Sequence, residues 1–395
     1  MEIHSFISNI STTEWIIIAL YTISFVIQLF YYLKLYRKPY LYAKKNNANE
    51  GVIDKLDKEL PGISIIITAK NEADNLRKNL PEILNQDYHN FQVVVVNNSS
   101  TDNTSNVLDE LKSKYPELYT TFIPVSTNNR NDKKLAITVG IKAAKHNILL
   151  FTEPDTKPLS NKWVYEYAKA FNNNVEVVLG SCQIEICKSV FKKYILFDNL
   201  FSGIKYTSMA LINKPYMGIG RNMAFKKKLF FDNKGFSSIL NIENGEDNLF
   251  INKIANEHNT TVLLSPNSLV VSNAINGFIN WRNIKTNYVV SRKHYTGYKA
   301  KRLAFEVFSR YLFYLFFAIL IGLGIYTPSI TIIAFALLLF LIRYIVQLIV
   351  INKNSKIYNA GSFYFSIPWF DIATPIANQL LVRRETKRND ILSGR

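Results

Sequence analysis

Hydrophobic positions along this chain fall into two regimes. Near the ends they run unbroken; in the middle they come in short bursts separated by helical patterns. The first long run, Trp15 to Leu33, carries no charge and stops against Lys34, Arg37 and Lys38. It is long enough to cross a bilayer, which takes about 20 apolar residues. A cleavable signal has its positive charges first and a cleavage site after; here the order is reversed, so residues 1–40 read as an uncleaved anchor. Tyr311 to Thr327 and Ser329 to Ile351, parted by Pro328, form a second apolar pair, a membrane hairpin within residues 308–352. Ser362 to Val382 is apolar but interrupted by Pro368, Asp371 and Pro375. That pattern predicts an interfacial helix or re-entrant piece running into the basic tail RRETKR, residues 360–395 in all. Arg310 and Lys353 flank the hairpin on the same side as the basic edge of the first anchor. The positive-inside rule then puts residues 40–305 and the tail in the cytoplasm. Arg343, in the last third of its run, is expected to snorkel to the inner interface, since the apolar segments carry almost no paired charge.

The middle of the chain has a different rhythm. Apolar bursts begin at Ile63 (ISIIIT), Phe91 (FQVVVV), Leu118 (LYTTFIPV) and Asn147 (NILLFT), with helical stretches from about Asp74, Thr104 and Lys133. Alternating strands and helices predict βαβ units around a parallel sheet, one large α/β domain over residues 60–300. Val93 to Val96 read as a strand buried on both faces, and NNSSTDNT follows at its carboxyl edge. Open α/β sheets bind ligands at that edge. The first strand leads into AKNEAD rather than a glycine-rich loop, which excludes a dinucleotide fold and a P-loop.

Composition sharpens this picture. Hydrophobic residues make up 48% of the chain and aromatic residues 13%, a load that places part of it in membrane lipid. The formal charge of +17 is spread along the chain and thickens beside apolar segments, which favours membrane lipid over nucleic acid as the partner. Cys182 and Cys187, four apart, make neither a zinc site nor a disulfide framework, and fit a reducing compartment.

Six motifs carry the chemistry: TAKNEADNL, NNSSTDNT, NDKKLAITVGIKAA, LLFTEPDTKP, NGEDNLF and WRNIKTNYVVSRKHY. Their order from about Pro61 to Tyr295 resembles the inverting family-2 glycosyltransferases, in particular membrane-anchored bacterial members. The resemblance implies a GT-A fold: a Rossmann-like, mixed but mostly parallel sheet flanked by helices, here with transmembrane helices at both ends. It implies transfer of a sugar from a nucleotide-diphosphate donor to a lipid-linked or saccharide acceptor at the inner face of the bacterial cell membrane. Negative charge builds on the leaving diphosphate, so the resemblance also implies a divalent metal, Mg²⁺ or Mn²⁺. Asp155 is the expected metal ligand, with Glu153 two residues earlier on the same strand-end face. Asp247 takes the place of the general base, and Glu246 binds acceptor or orients the loop. Acids at NGED equally suit a helix N-terminus, and both readings hold together. On the nucleotide side stand Glu72, Asn97, Asn98 and Lys133, with Asp102 read as a helix cap; on the acceptor side stand Gly220, Asn222, Trp281 and Lys285.

The chain departs from the family pattern in several places. Asn97 and Asn98 are neutral where one carboxylate is usual, and Glu153 replaces an aspartate. If NIKTN aligns with a Q-K-x-R motif, Ile284 and Asn287 replace the glutamine and the arginine, leaving Lys285 to compensate in part. These changes set an alternative beside the enzyme: a catalytically impaired relative serving as a non-catalytic membrane subunit or sugar-binding partner.

Overall fold

A computed structural model of the chain describes residues 11–47, 60–124, 132–171, 174–186, 189–242, 244–275, 277–295 and 299–392. Cys187 and most of the polar connection after Lys44 lie outside the described residues. The first anchor is α1 (Thr12–Phe30), continued by a π-helical turn (Tyr31–Tyr36) and α2 (Lys38–Asn47). Ser11 and Glu14 form a reciprocal capping box that starts it: Ser11 N donates to Glu14 Oε2 at 2.8 Å and Glu14 N to Ser11 Oγ at 3.3 Å.

The predicted βαβ rhythm is present. Strands β1 (Ile63–Ala69), β2 (Phe91–Asn98), β3 (Leu118–Ile123) and β4 (Ile148–Phe151) alternate with α3 (Ala73–Leu84), α4 (Thr104–Lys112) and α5 (Asp132–Ala143). Parallel pairing joins β1 to β2 and β4, and β2 to β3. Both faces of this sheet are covered, so the apolar runs are unbroken rather than alternating. Ile63, Ile65, Ile67, Val93 and Val95 pack into one core; Ile66, Val94, Val96, Leu149 and Phe151 pack into the other.

Beyond β4 the chain forms β5 (Thr156–Pro158), α6 (Trp163–Ala170), β6 (Val177–Leu179), β7 (Cys182–Ile186), α7 (Lys192–Ala210), β8 (Met223–Lys226), α8 (Lys227–Asp232), α9 (Asn248–Ile254), β9 (Thr260–Val262) and β10 (Val270–Ile275). The main sheet has seven strands in the order β3-β2-β1-β4-β8-β6-β9, with β8 antiparallel to both neighbours. A second sheet, β5-β10-β7, was not expected. Its strands are too short or too irregular for period-two patterning to stand out.

Helix α10 (Phe278–Ser291) then leads to α11 (Lys299–Tyr326), α12 (Ile330–Ile357) and α13 (Ile367–Leu392). Among the described residues, three helical stretches are long and apolar enough to cross a membrane: Thr12–Asn46, Lys301–Tyr326 and Ile330–Ile357. The segment expected to be interfacial is one helix that runs on through the basic tail, with Pro375 inside it.

Arg343 corrects an expectation. It does not snorkel: it is 1% exposed, and its Nη2 donates to Asp371 Oδ2 at 2.7 Å. The reason is that α13 supplies a counter-charge inside the bundle. Arg310 Nη1 also lies 3.0 Å from Asp371 Oδ1 and pairs with Glu306, which in turn lies 3.4 Å from Lys205 of α7. Gln28 and Gln347 complete the shell around Arg343 at 2.9 and 3.1 Å. The apolar spans and the α/β domain also share one apolar core, in which Tyr32, Tyr36, Val350 and Phe363 sit with Phe197, Phe201 and the sheet residues above.

Removing one partner from such a cluster strands the others. Asp371→Asn is expected to destabilise the full chain by about 3–5 kcal/mol, the usual cost of an uncompensated buried charge. Thermal unfolding in detergent measures it; an unchanged midpoint would contradict the cluster's role.

Candidate active site

The side expected to face a nucleotide is stitched together by short polar side chains at the ends of β1 and β2. Asn71 and Ser99 both adopt positive φ, 58° and 56°, which lets each strand turn sharply away. Asn71 Oδ1 accepts from Thr101 N at 2.8 Å, and Asn97 Oδ1 accepts from Ser100 N at 3.2 Å. Asp102 caps as expected and serves two helices: Oδ1 accepts from Thr104 N at 3.1 Å and Oδ2 from Ala73 N at 3.2 Å. Asn98 differs from Asn97. Its buried Oδ1 has no hydrogen-bond partner among the described residues, an acceptor left free at the strand's carboxyl end. Glu72 Oε2 accepts from Asn75 Nδ2 at 2.6 Å. Burial pushes the Glu72 carboxyl up, the Asn75 bond opposes this, and nearby Asp155 and Glu153 add to the rise.

Four carboxylates and two cations form the centre. Arg221, in the turn before β8, places Nη2 2.8 Å from Glu153 Oε2 and 3.1 Å from Asp155 Oδ2. Lys133, in the first turn of α5, reaches Glu153 Oε1 at 3.0 Å and Glu246 Oε1 at 2.8 Å. Burial works against ionising Glu153, but Arg221 and then Lys133 outweigh it and hold the carboxyl at about 2. Glu246 follows the same logic: burial opposes its charge, and Lys133 wins. Asp247 has no such cation in contact among the described residues. Its Oδ2 accepts from Gly220 N at 3.0 Å and Tyr288 OH at 2.8 Å, and its Oδ1 from Asn248 N at 2.6 Å. Burial, then the adjacent Glu246, push its pKa up against Lys133 and these donors. The turn that presents Glu246 and Asp247 needs Gly245, whose φ is +88°; a Cβ there would lie 2.5 Å from Leu249 Cδ1.

Lys133, Glu153, Arg221, Glu246 and Asp247 line a polar cleft of about 600 Å³ together with Ile284 and Asn287, and Asp155 stands behind Arg221. Gly220 meets the site through its backbone N–H, which donates to Asp247. Asn222 does not: it is 0% exposed and its amide makes four bonds, accepting from Trp163 Nε1 and Tyr167 OH and donating to Ser181 O and Ser268 O. Trp281 and Lys285 also turn away. Both donate to Asp198, at 3.2 and 2.6 Å, on the wall of an adjoining, mostly apolar cavity of about 660 Å³. Lys285 therefore does not stand in for the missing arginine, because a buried carboxylate already holds it. Arg221 and Tyr288, which separate the two cavities, escaped the sequence reading. Tyr288 lies four residues past Ile284, one helical turn on, so the helix period alone could have placed it on the same face.

A divalent cation fits this donor set. Glu153 Oε2 and Asp155 Oδ2 converge on one cationic atom, Arg221 Nη2, so both hard oxygens already point to a shared cation position. A metal held by the same two carboxylates would have to displace Arg221 from them. Arg221→Gln is expected to tighten Mn²⁺ binding about tenfold, by removing a charge-assisted rival worth about 1.5–3 kcal/mol. Titration followed by Mn²⁺ electron paramagnetic resonance measures this; weaker binding would mean that Arg221 supports the site.

Residues 64–232 match the model for Glycosyl transferase family 2. Among curated relatives, a poly-β-1,6-N-acetyl-D-glucosamine synthase from Staphylococcus epidermidis is 24% identical over 118 residues, 30% of this chain and 27% of that protein. The enzyme of the same name from Staphylococcus aureus is 28% identical over 98 residues, 25% of this chain and 23% of the relative. The alignments thus span only about a quarter of those relatives' lengths. Among solved structures, a mannosyltransferase from Pyrobaculum calidifontis, in complex with GDP-Man and Mn²⁺, shares the fold at a TM-score of 0.57 and 18% identity, covering 92% of this chain and 98% of that one. Residues 64–232 are therefore similar to family-2 glycosyltransferases and the chain shares the GT-A fold, with three helices among the described residues long and apolar enough to cross a membrane.

Proposed function

We propose that the protein is an inverting glycosyltransferase. It moves a sugar from a nucleotide-diphosphate donor to a lipid-linked or saccharide acceptor at the inner face of a bacterial cell membrane. The observation that carries this reading is Asp247: a buried carboxylate at the cleft, oriented by three donors and in contact with no cation among the described residues. Such a group is poised to take a proton rather than to hold a counter-ion. The acceptor hydroxyl gives its proton to Asp247 as its oxygen bonds to the anomeric carbon. The bond from that carbon to the diphosphate oxygen breaks in the same displacement, which inverts the centre. Asn98, with its free acceptor, and Glu72 and Asn97 face the nucleotide side, and Lys133 ties that side to Glu246. Glu153 and Asp155 would hold Mg²⁺ or Mn²⁺, which when bound neutralises charge on the leaving diphosphate. The mannosyltransferase solved with GDP-Man and Mn²⁺, and the relatives named as polysaccharide synthases, support this donor class. Basic residues beside every span support a cytoplasmic catalytic domain.

A second reading has its own support. Arg221 covers the metal ligands, and Ile284 and Asn287 line the cleft where the family pattern has polar and cationic groups. A non-catalytic membrane subunit would keep this fold without turnover. Asp247→Asn separates the two. In a transferase, nucleotide-sugar binding survives this change while turnover falls roughly 10²–10⁴-fold. A wild-type chain that binds no nucleotide sugar with any divalent metal would point to the subunit.

The acid limb of the rate profile gives an independent check. Asp247 works ionised, and its pKa is raised, so activity is full above that value and falls as pH drops through it. The limb therefore lies above the range of an ordinary aspartate. Tyr288→Phe removes a donor that favours the carboxylate, so the limb is expected to move to still higher pH. A limb that stays put or moves down would count against Asp247 as the base.

A further inference from the structure

A second groove, of about 1300 Å³, opens beside the catalytic cleft, and Asn244 and Asn287 line both. One wall is the outer face of α10 with the turn after it; the other is the C-terminal part of α13. Four cations line it, Arg282, Lys293, Arg384 and Arg388, against one carboxylate, Glu385. Glu385 is engaged by Arg388 at 3.5 Å. Arg282, Lys293 and Arg384 have no carboxylate partner among the described residues. Three cations without a carboxylate partner among the described residues, two on facing helices and Lys293 in the turn after α10, suit an anion with several oxygens, since arginine forks match phosphate in pairs.

The position of α13 says how such an anion arrives. Asp371, near the start of this helix, is locked into the ion cluster of the spans. Trp369, Ile376 and Leu380 on the same helix are exposed, as is Phe365 just before it at 88%. An apolar, aromatic-rich first half followed by a basic second half is the pattern of a helix lying at a bilayer surface. The groove begins where the apolar residues end, at Leu381 and Arg384.

We propose that this groove holds the phosphate groups of a lipid-borne acceptor, so that the acceptor is a long-chain lipid phosphate or diphosphate rather than a neutral glycolipid. The hydrocarbon stays with the exposed face of α13, the phosphates sit between Arg282 and Arg384, and whatever they carry extends past Asn287 toward Asp247. This rests on the transferase reading for its meaning, but its test needs no turnover.

Full-length protein in phosphatidylcholine nanodiscs is titrated with geranylgeranyl diphosphate as the probe, without donor. The expected result is saturable binding that Arg282→Gln with Arg384→Gln weakens at least tenfold, while Mn²⁺-dependent nucleotide binding is unchanged. Both arginines are at least partly exposed, so the double variant keeps its fold, and its unfolding midpoint verifies this. Geranylgeraniol binding as tightly as the diphosphate would overturn the proposal, because the phosphates would then contribute nothing. Inorganic diphosphate binding as tightly would also overturn it, since the source would then be a free phosphate. Equal competition by phosphatidylglycerol would reduce the groove to a general anionic-lipid surface. A chain that fails here yet transfers sugar to another acceptor loses only the groove; a chain that binds the probe but no nucleotide sugar loses only the transferase reading.

Discussion

Four carboxylates share one cleft with two cations, and the way the cations are divided sets the role of every acid. Two like charges about 4 Å apart repel by about 4 kcal/mol at an effective dielectric near 20. The four cannot all be ionised and unattended. Lys133 bridges Glu153 and Glu246, and Arg221 bridges Glu153 and Asp155, so three acids each face a cation. Asp247 is in contact with neutral donors, and burial and then Glu246 raise its pKa against the field of Lys133. In the proposed function, counter-ion binding and proton transfer would thereby fall to different residues that are close in sequence. A metal at Glu153 and Asp155 would first have to displace Arg221.

That arrangement depends on its footing in the membrane. Burying Asp371 between Arg310 and Arg343, with Glu306 reaching back to Lys205, joins α11, α12, α13 and α7 through charges that tolerate little displacement, and Gln28 ties α1 to Arg343. Buried ion clusters add little net stability over apolar packing. Here the cluster fixes a register: α13 emerges from the bundle at one angle, and its basic half comes to lie alongside α10. The cleft, the groove and the membrane-facing aromatic residues then keep a set relation to one another.

Much of the fold was legible because runs of β-branched residues and apolar spans are local signals. The parallel strands from Ile63, Phe91 and Ile148 lie within a residue of their expected starts, and the break at Pro328 is real. The second sheet was not legible, since β5 has only three residues and gains its place by pairing with β10, over a hundred residues away. In the site, Glu153, Asp155, Glu246, Asp247 and Lys133 do come together. Arg221 was passed over although it lies between two chosen residues, Gly220 and Asn222. Nothing local says that the glycine donates its N–H to Asp247 while the asparagine turns into the core. Lys285 and Arg343 mislead for one reason: their partners, Asp198 and Asp371, are remote in sequence, and a cation without a visible partner reads as free.

Metal-gated donor binding is the central claim, and calorimetry tests it most directly. UDP and GDP would each be titrated into the full-length protein with and without Mn²⁺, and again into Asp155→Asn. The expected result is binding of at least one nucleotide that requires Mn²⁺ and is lost in the variant. Equal affinity without the metal, or unchanged Mn²⁺ dependence in Asp155→Asn, would contradict it.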